Sequence, residues 1–170
     1  MGMRPQMAVE TRPEAEVHEQ HSRDSVEPED YAAINAVYAA LLAGIVLATR
    51  ERVKHDPIRR GELLPMGAAT FAVSKVIARE KIGTWVREPF VEDASHGGKP
   101  RGRRIQRAVG ELVTCSRCVG AWSALGVVGL RAASPQAGRL VTSVLAVSAL
   151  NDWAQAGFAW LRGRANEVPS

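Results

Sequence analysis

Residues 31–49 read YAAINAVYAALLAGIVLAT, a stretch of nineteen positions without a charged side chain. As an α-helix it would be about 28 Å long, close to the ~30 Å hydrocarbon core of a bilayer. A buried helix of a soluble bundle normally shows a polar stripe, whereas only Asn35 and Thr49 interrupt this apolar run. Basic residues follow at once, beginning with Arg50. The stretch therefore predicts a membrane-spanning helix.

Three further stretches, 63–78, 112–130 and 140–161, are similarly apolar. The chain has 22 Lys and Arg and 18 Asp and Glu, yet Lys75 and Asp152 are the only charged residues in 31–49, 63–78, 118–130 and 140–161. Such segregation is unlike a uniformly solvated domain. We expect an all-α, integral membrane bundle of about four transmembrane helices, and we keep a soluble helical bundle as the alternative.

The remaining composition predicts the domain organisation. Residues 1–30 contain eight acidic and three basic residues and few large apolar ones, which predicts a disordered acidic tail. An N-terminal transmembrane helix and a basic loop occupy 31–62, and a three-helix membrane domain with a basic loop at 79–111 occupies 63–161. Residues 162–170 form a short tail. Within 79–111 we expect a short interfacial helix that ends at Pro89, and no regular structure over 96–107.

The distribution of Lys and Arg predicts the orientation. With both termini in the cytoplasm, 11 of the flanking Lys and Arg residues lie inside and seven lie outside, which the positive-inside rule favours. The localisation predicted is the cytoplasmic membrane, and the partner is the lipid bilayer. Five basic residues of the loop suit anionic lipid headgroups, and no nucleic-acid-binding pattern accompanies them: Lys99, Arg101, Arg103, Arg104 and Arg107. A second copy or another membrane protein is the expected protein partner.

Cys115 and Cys118 form a CxxC pattern at the start of the third apolar stretch. Two thiols three positions apart on a helix share a face, and three interpretations of this pair remain open. The thiols could fill a seam between packed helices, or supply two of the four ligands of a zinc site. They could also be redox active beside Arg117, a cation that favours a thiolate. No other cofactor is expected.

Lys75 and Asp152 are the candidate intramembrane charge pair. An unpaired charge at membrane depth costs about 3 kcal/mol, so pairing would lower that cost. In the favoured orientation both residues lie toward the cytoplasmic ends of their helices, with Arg79 or Arg117 as substitute partners for Asp152. The alternatives are that Lys75 snorkels alone and that Asp152 reaches water.

One part of the chain resembles a known family. TFAVSKVIAREKIGTWVREPF (70–90) and AVGELVTCSRCVGAW (108–122), followed by two apolar segments, resemble the domain-of-unknown-function family thirteen-sixty. The resemblance covers 63–161 and implies a small bacterial integral membrane protein, some members being labelled as sporulation proteins. Ser116 departs from the proline that the family often has there. The resemblance indicates four further structural polar candidates: Arg79, Glu80, Glu111 and Trp122.

The sequence lacks a P-loop, a GxGxxG opening a helix, a GxSxG and an HExxH motif. We therefore predict an uncharacterised, non-enzymatic structural or interaction component of the membrane. The alternatives are a thiol-based metal-binding or redox membrane protein that uses Cys115 and Cys118, and a small transporter or channel subunit.

Overall fold

A computed structural model of the protein describes residues 26–93 and 98–167, and 84% of them are helical. The all-α class is therefore confirmed. The helices are α1 (Pro28–His55), α2 (Arg60–Arg79), a 3-10 turn (Lys81–Gly83), α3 (Thr84–Arg87), α4 (Ile105–Thr114), α5 (Ser116–Ala133) and α6 (Pro135–Glu167). An isolated antiparallel bridge joins Val91 to Pro100, and these described ranges contain no strand.

Helix α1 begins inside the segment that was predicted to be a disordered tail. Pro28 occupies its first turn, and the Asp30 carboxylate accepts a hydrogen bond of 3.3 Å from the Glu27 backbone N–H. Glu27 and Asp30 form a capping box, which satisfies backbone N–H groups that the first turn leaves unpaired. These acidic residues therefore start the helix. Residues 28–30 of the predicted tail are therefore helical, and residues 1–25 lie outside the described part of the chain.

The third apolar stretch is not one straight helix, which corrects the prediction for 112–130. Helices α4 and α5 meet at Cys115 with a bend of 88°. The Thr114 hydroxyl donates to the carbonyls of Gly110 and Glu111 and so satisfies the end of α4. Cys115 itself has an extended backbone and caps α5. The break separates the short helix α4 from the longer helix α5, whose residues 118–130 carry no charge.

Helix α4 packs on the loop that precedes it. Val91 and Val113 form a small core there with Phe90. A side chain at Gly110 would meet the Phe90 carbonyl oxygen at 2.6 Å, so the approach requires glycine. Because α4 begins at Ile105, the predicted irregular segment 96–107 is corrected at its end. A short helix is present there as α3, and it ends at Arg87, before Pro89.

Helix α2 lies at the centre of the long helices, packed against both α5 and α6, and α1 packs on α5. The buried residues between them are mostly small. Ala68, Ala72, Ala146 and Ala149 form the α2–α6 core. With so little bulk between the backbones, the helices approach closely.

The large apolar side chains lie on the outside instead. Seven of them, on helices α1, α2 and α6, are each more than 60% exposed: Leu47, Leu64, Leu140, Val144, Val147, Phe158 and Trp160. We call the exposed Leu, Val, Ile, Phe and Trp side chains of α1, α2, α5 and α6 the apolar belt.

Among the described helices, α1 is the one long and apolar enough to cross a membrane by itself. Only 6% of its most apolar 18-residue stretch is buried. Helices α4 and α5 meet the same criterion together, across their bend. One or two helices are therefore long and apolar enough to span.

Two boundaries of the predicted helices change. The turn after α5 consists of Ser134, since α6 already begins at Pro135. Helix α6 continues through Glu167, so the predicted tail at 162–170 is helical over most of its length. Because the turn is so short, Arg131 lies on α5 and Arg139 lies on α6, and neither lies in a loop.

Candidate functional site

The break between α4 and α5 brings the two thiols into contact. Cys115 is the residue before α5, and its sulfur accepts a hydrogen bond of 3.4 Å from the Cys118 backbone N–H. The two Sγ atoms are 2.8 Å apart, and both cysteines are free thiols. The two thiols thus lie side by side, with Cys115 as the cap of α5 and Cys118 in its first turn. Arg117 lies between them and is exposed.

A cavity of about 570 Å³ opens beside these thiols, between α1, α4 and α5. The Tyr31 hydroxyl donates a hydrogen bond to the Glu111 carboxylate at one side. Tyr38 and Trp122 meet edge to face at the other, with ring centroids 5.2 Å apart. Glu111 and Trp122, which the sequence offered as structural polar residues, thus both line the space next to the thiols. The two tyrosines come from the helix that lies outside the family resemblance.

The described residues do not complete a zinc site. No set of three or more His, Cys, Asp or Glu side chains within 26–93 and 98–167 is placed to hold a metal ion. Zinc in proteins is almost always bound by four ligands in structural sites and by three in catalytic ones. Cys115 and Cys118 supply two such ligands.

The structure brings Lys75 and Asp152 together. The Lys75 ammonium lies 3.0 Å from an Asp152 oxygen and also 3.0 Å from a Glu80 oxygen. Each side chain is about one third exposed or somewhat more. Glu80 was a candidate on the strength of the resemblance alone, and it is the second partner of the lysine. Arg79 and Arg117 line a recess beside Lys75 but form no ion pair with Asp152.

A second charge cluster, at the opposite ends of the helices, was missed by the sequence analysis. Arg131 is only 2% exposed, and its Nε lies 3.0 Å from Glu62 Oε1. Arg131 Nη2 lies 3.2 Å from Asp56, and Arg139 lies 3.0 Å from the other Asp56 oxygen. Hydrogen bonds from Arg131 lower the pKa of Glu62, and one from Arg139 lowers the pKa of Asp56. The available signal was that all four residues flank apolar stretches on the same predicted side.

Two of the five basic residues predicted to meet lipid headgroups have carboxylate neighbours within the chain. Arg104 lies 3.8 Å from Glu27 and 3.7 Å from Asp30, and Arg107 lies 3.7 Å from Glu111. These two arginines therefore have carboxylate neighbours within the chain. Four of the five candidates for lipid headgroups are exposed: Lys99, Arg101, Arg103 and Arg104.

The fold and these clusters define a small all-α protein with an apolar exterior and a charge cluster toward either end of its bundle. Residues 65–158, more than half of the chain, match the family described as "Protein of unknown function (DUF1360)", and the chain belongs to that family. The predicted resemblance is confirmed. The matched region contains Lys75, both cysteines and Asp152, whereas α1 lies outside it. No curated protein and no solved structure matches the chain.

Proposed function

We propose that the chain is a multi-pass protein of the cytoplasmic membrane and a non-enzymatic structural or interaction component there. Its spanning segments are 31–49, 63–78, 116–130 and 140–161, in helices α1, α2, α5 and α6. The apolar belt carries this proposal. Soluble monomers rarely expose contiguous apolar patches beyond a few hundred Å², whereas lipid-facing helices expose large apolar side chains and bury small ones.

The positions of the charges support the same arrangement. Along α6, Arg139 and Arg162 are 23 positions apart, which corresponds to about 35 Å and is close to the thickness of a hydrocarbon core. Asp152 is the only charged residue between them, and it has Lys75 as a partner. A charge at this depth is tolerated when it is paired.

The modest hydropathy of α2 and α6 has a structural explanation. Both helices are rich in Ala, Ser and Thr, and Ala72 and Ala149 face each other across their contact. The hydroxyls that accompany them are satisfied within the helices: Thr70 donates to the Met66 carbonyl, and Ser143 donates to the Arg139 carbonyl. A hydroxyl paired in this way can lie in lipid at little cost.

The bend at Cys115 suits a membrane boundary. Helix α4 carries Arg107 and Glu111 and would lie along the surface, while α5 enters the bilayer. In this arrangement both termini face the cytoplasm, and the exposed Lys99 and Arg101 meet anionic lipid headgroups. The apolar face of α6 is available to a second copy or to another membrane protein.

Membrane extraction and a substitution in the apolar belt test this proposal. We expect the full chain to stay in the membrane fraction after alkaline carbonate and to be released by detergent. Val144→Lys places a charge in the lipid-facing part of α6, which costs about 3 kcal/mol at the centre of a span. It should sharply lower the inserted amount measured by blotting.

The matched control is Gln136→Lys, an exposed position in the first turn of the same helix. It should insert normally, because it lies at the polar end of α6. Release of the wild-type chain by carbonate, or equal insertion of the two variants, would show that the apolar belt does not face lipid.

A further inference from the structure

We propose that the cavity beside Cys115 and Cys118 binds an isoprenoid quinone, and that the two thiols exchange two electrons and two protons with its ring. This assignment rests on the membrane location in the proposed function, which makes a lipid-soluble ligand available, and it replaces the non-enzymatic role given there with thiol redox chemistry. Three independent features of the cavity carry it: the thiol pair, the aromatic walls and an adjoining apolar groove.

The thiols are arranged to form a disulfide within one turn of backbone. Their sulfur atoms are already in contact at 2.8 Å, and Cys115 is fixed at the N-terminal end of α5 by the hydrogen bond from Cys118 N–H. The N-terminal end of a helix stabilises negative charge, and Arg117 lies between the two cysteines. A thiolate, which is the species that reacts, is therefore favoured at this position.

The walls of the cavity suit a flat ring that carries oxygen atoms. Tyr38 and Trp122 provide aromatic surface, while the Tyr31–Glu111 pair provides the polar edge. Small-molecule sites typically combine mostly apolar walls with a few polar groups of this kind. The volume of the cavity, about 570 Å³, lies within the range of such sites.

A second groove of about 470 Å³ adjoins the cavity and has no polar lining. The two spaces share Ile34, Leu112 and Trp122. A ligand with an oxygenated ring and a long hydrocarbon tail can occupy both, with its ring beside the thiols and its tail in the groove. Isoprenoid quinones have this shape and accept electron pairs, whereas an ordinary phospholipid has no group that thiols reduce.

The reaction balances as follows. The two S–H bonds break and one S–S bond forms between Cys115 and Cys118, which oxidises the pair by two electrons. Both electrons and both protons pass to the quinone, whose two carbonyl oxygens become the hydroxyls of the quinol. The reverse reaction reduces the disulfide with quinol, and the difference between the two reduction potentials sets the direction.

Anaerobic titration of the purified full chain in detergent tests the proposal. The chain is first reduced and freed of reductant, and then decyl-ubiquinone is added; its fully substituted ring disfavours thiol addition. We expect one quinol per chain by ultraviolet absorbance and an intact mass lower by two hydrogen atoms. Cys118→Ser should abolish both signals, because no disulfide can form.

A steric variant tests whether the cavity is the quinone site. Ala121 is exposed and lines the cavity, so Ala121→Phe fills the space without disturbing a buried residue. It should slow quinol formation roughly tenfold or more, since a steric clash discriminates against a ligand. Ala137→Phe, at an exposed position of α6 away from the cavity, should leave the rate unchanged.

Three results would overturn the assignment: no quinol from the reduced wild-type chain, quinol formation by Cys118→Ser, or equal rates for the two phenylalanine variants. Each is independent of the carbonate extraction. A chain that stays in the membrane but reduces no quinone retains the proposed function and loses this one. A chain that carbonate releases but that reduces quinone does the opposite.

Discussion

Arg131 has the least exposed charged side chain among the described residues, and two carboxylates explain why it is tolerated. Its guanidinium lies against Glu62 and Asp56, while Arg139 shares the second of these. The two carboxylates compensate the buried charge, although the Nη1 atom of Arg131 has no hydrogen-bond partner among the described residues. Removing one carboxylate would leave the guanidinium less compensated. The cluster therefore ties the end of α5 to the start of α2 and to α6.

The first prediction concerns acid sensitivity. Because hydrogen bonds from Arg131 and Arg139 lower the pKa of Glu62 and of Asp56, the folded chain holds these protons less tightly than the unfolded chain. Their stabilisation is complete above the ordinary carboxyl range, about pH 4, and is lost as the pH falls through the lowered values. We expect the thermal midpoint in detergent to fall in that acidic window.

Glu62→Gln should reduce the acid-dependent part of this fall. It lowers stability at neutral pH but removes one of the groups that take up a proton. Glu92→Gln, at an exposed position outside the cluster, is the control and should follow the wild-type curve. If Glu62→Gln keeps the full acid dependence, the cluster is not its source.

The second prediction concerns the partners of Lys75. Because its ammonium bridges Asp152 and Glu80, Asp152→Asn leaves it one carboxylate, whereas Lys75→Met leaves two carboxylates without their cation. We expect Lys75→Met to lower the thermal midpoint in detergent more than Asp152→Asn does. The double variant should lose less than the sum of the two single losses.

Arg79→Met is the matched control for the lysine. It removes a neighbouring basic side chain of α2 that forms no ion pair with the described residues, and it should change the midpoint little. If the decreases in thermal midpoint for Lys75→Met and Asp152→Asn were strictly additive in the double variant, the contact between Lys75 and Asp152 would contribute nothing to stability in detergent.

At the scale of single elements, the turn between α5 and α6 depends on the absence of a side chain. A Cβ atom added at Gly138 would lie 2.4 Å from the Arg131 Cα atom and 2.8 Å from its nitrogen. Backbone atoms cannot move aside as a flexible side chain can. The close approach that buries Arg131 therefore requires glycine at this position.

The third prediction follows from that geometry. Gly138→Ala forces the two helices apart and should destabilise the protein by about 1–3 kcal/mol, the usual cost of overpacking. Thermal unfolding in detergent measures it. Gly126→Ala is the control, because a Cβ there meets nothing within 4 Å. It should be neutral or gain up to about 1 kcal/mol from helix propensity. Equal midpoints for both variants would contradict the packing argument.

At the scale of the whole molecule, the two charge clusters and the apolar belt between them define an axis. The fourth prediction states which end of this axis faces the outside of the cell. In a background with Cys115→Ser and Cys118→Ser, Gln136→Cys should react with a membrane-impermeant maleimide in intact cells, since it lies at the outer end. Glu92→Cys, in the basic loop, should react only after the cells are permeabilised.

Both positions are exposed, and neither substitution changes the count of Lys and Arg on which the orientation rests. The opposite labelling pattern would invert the proposed topology. Labelling of both positions in intact cells would argue against a barrier between them.

Much of the architecture was accessible from local pattern. The uncharged run 31–49 predicted a long helix because apolarity without a polar stripe is visible residue by residue, and α1 contains it whole. The break at Cys115 was not accessible in this way. Residues 112–130 remain largely apolar through the bend, and the close approach of Gly110 to the distant Phe90 carbonyl belongs to the tertiary packing.

The candidate site divides along the same line. CxxC spacing and the isolated charges Lys75 and Asp152 stand out in the sequence, because each is rare in its surroundings. Tyr31 and Tyr38 do not, since they lie some 80 residues from the thiols and reach them only through the packing of α1 on α4 and α5.

The sequence by itself determined the helical class, the family and the segregation of charge from apolar residues, all of which depend on residues near one another in the chain. Only the tertiary structure decided that Glu80 shares Lys75 with Asp152, that Arg131 is buried against Glu62, and that a cavity opens beside the thiols. These features depend on distances between side chains from separate helices. Such distances are set by how closely alanine and glycine let the backbones approach, which no local pattern encodes.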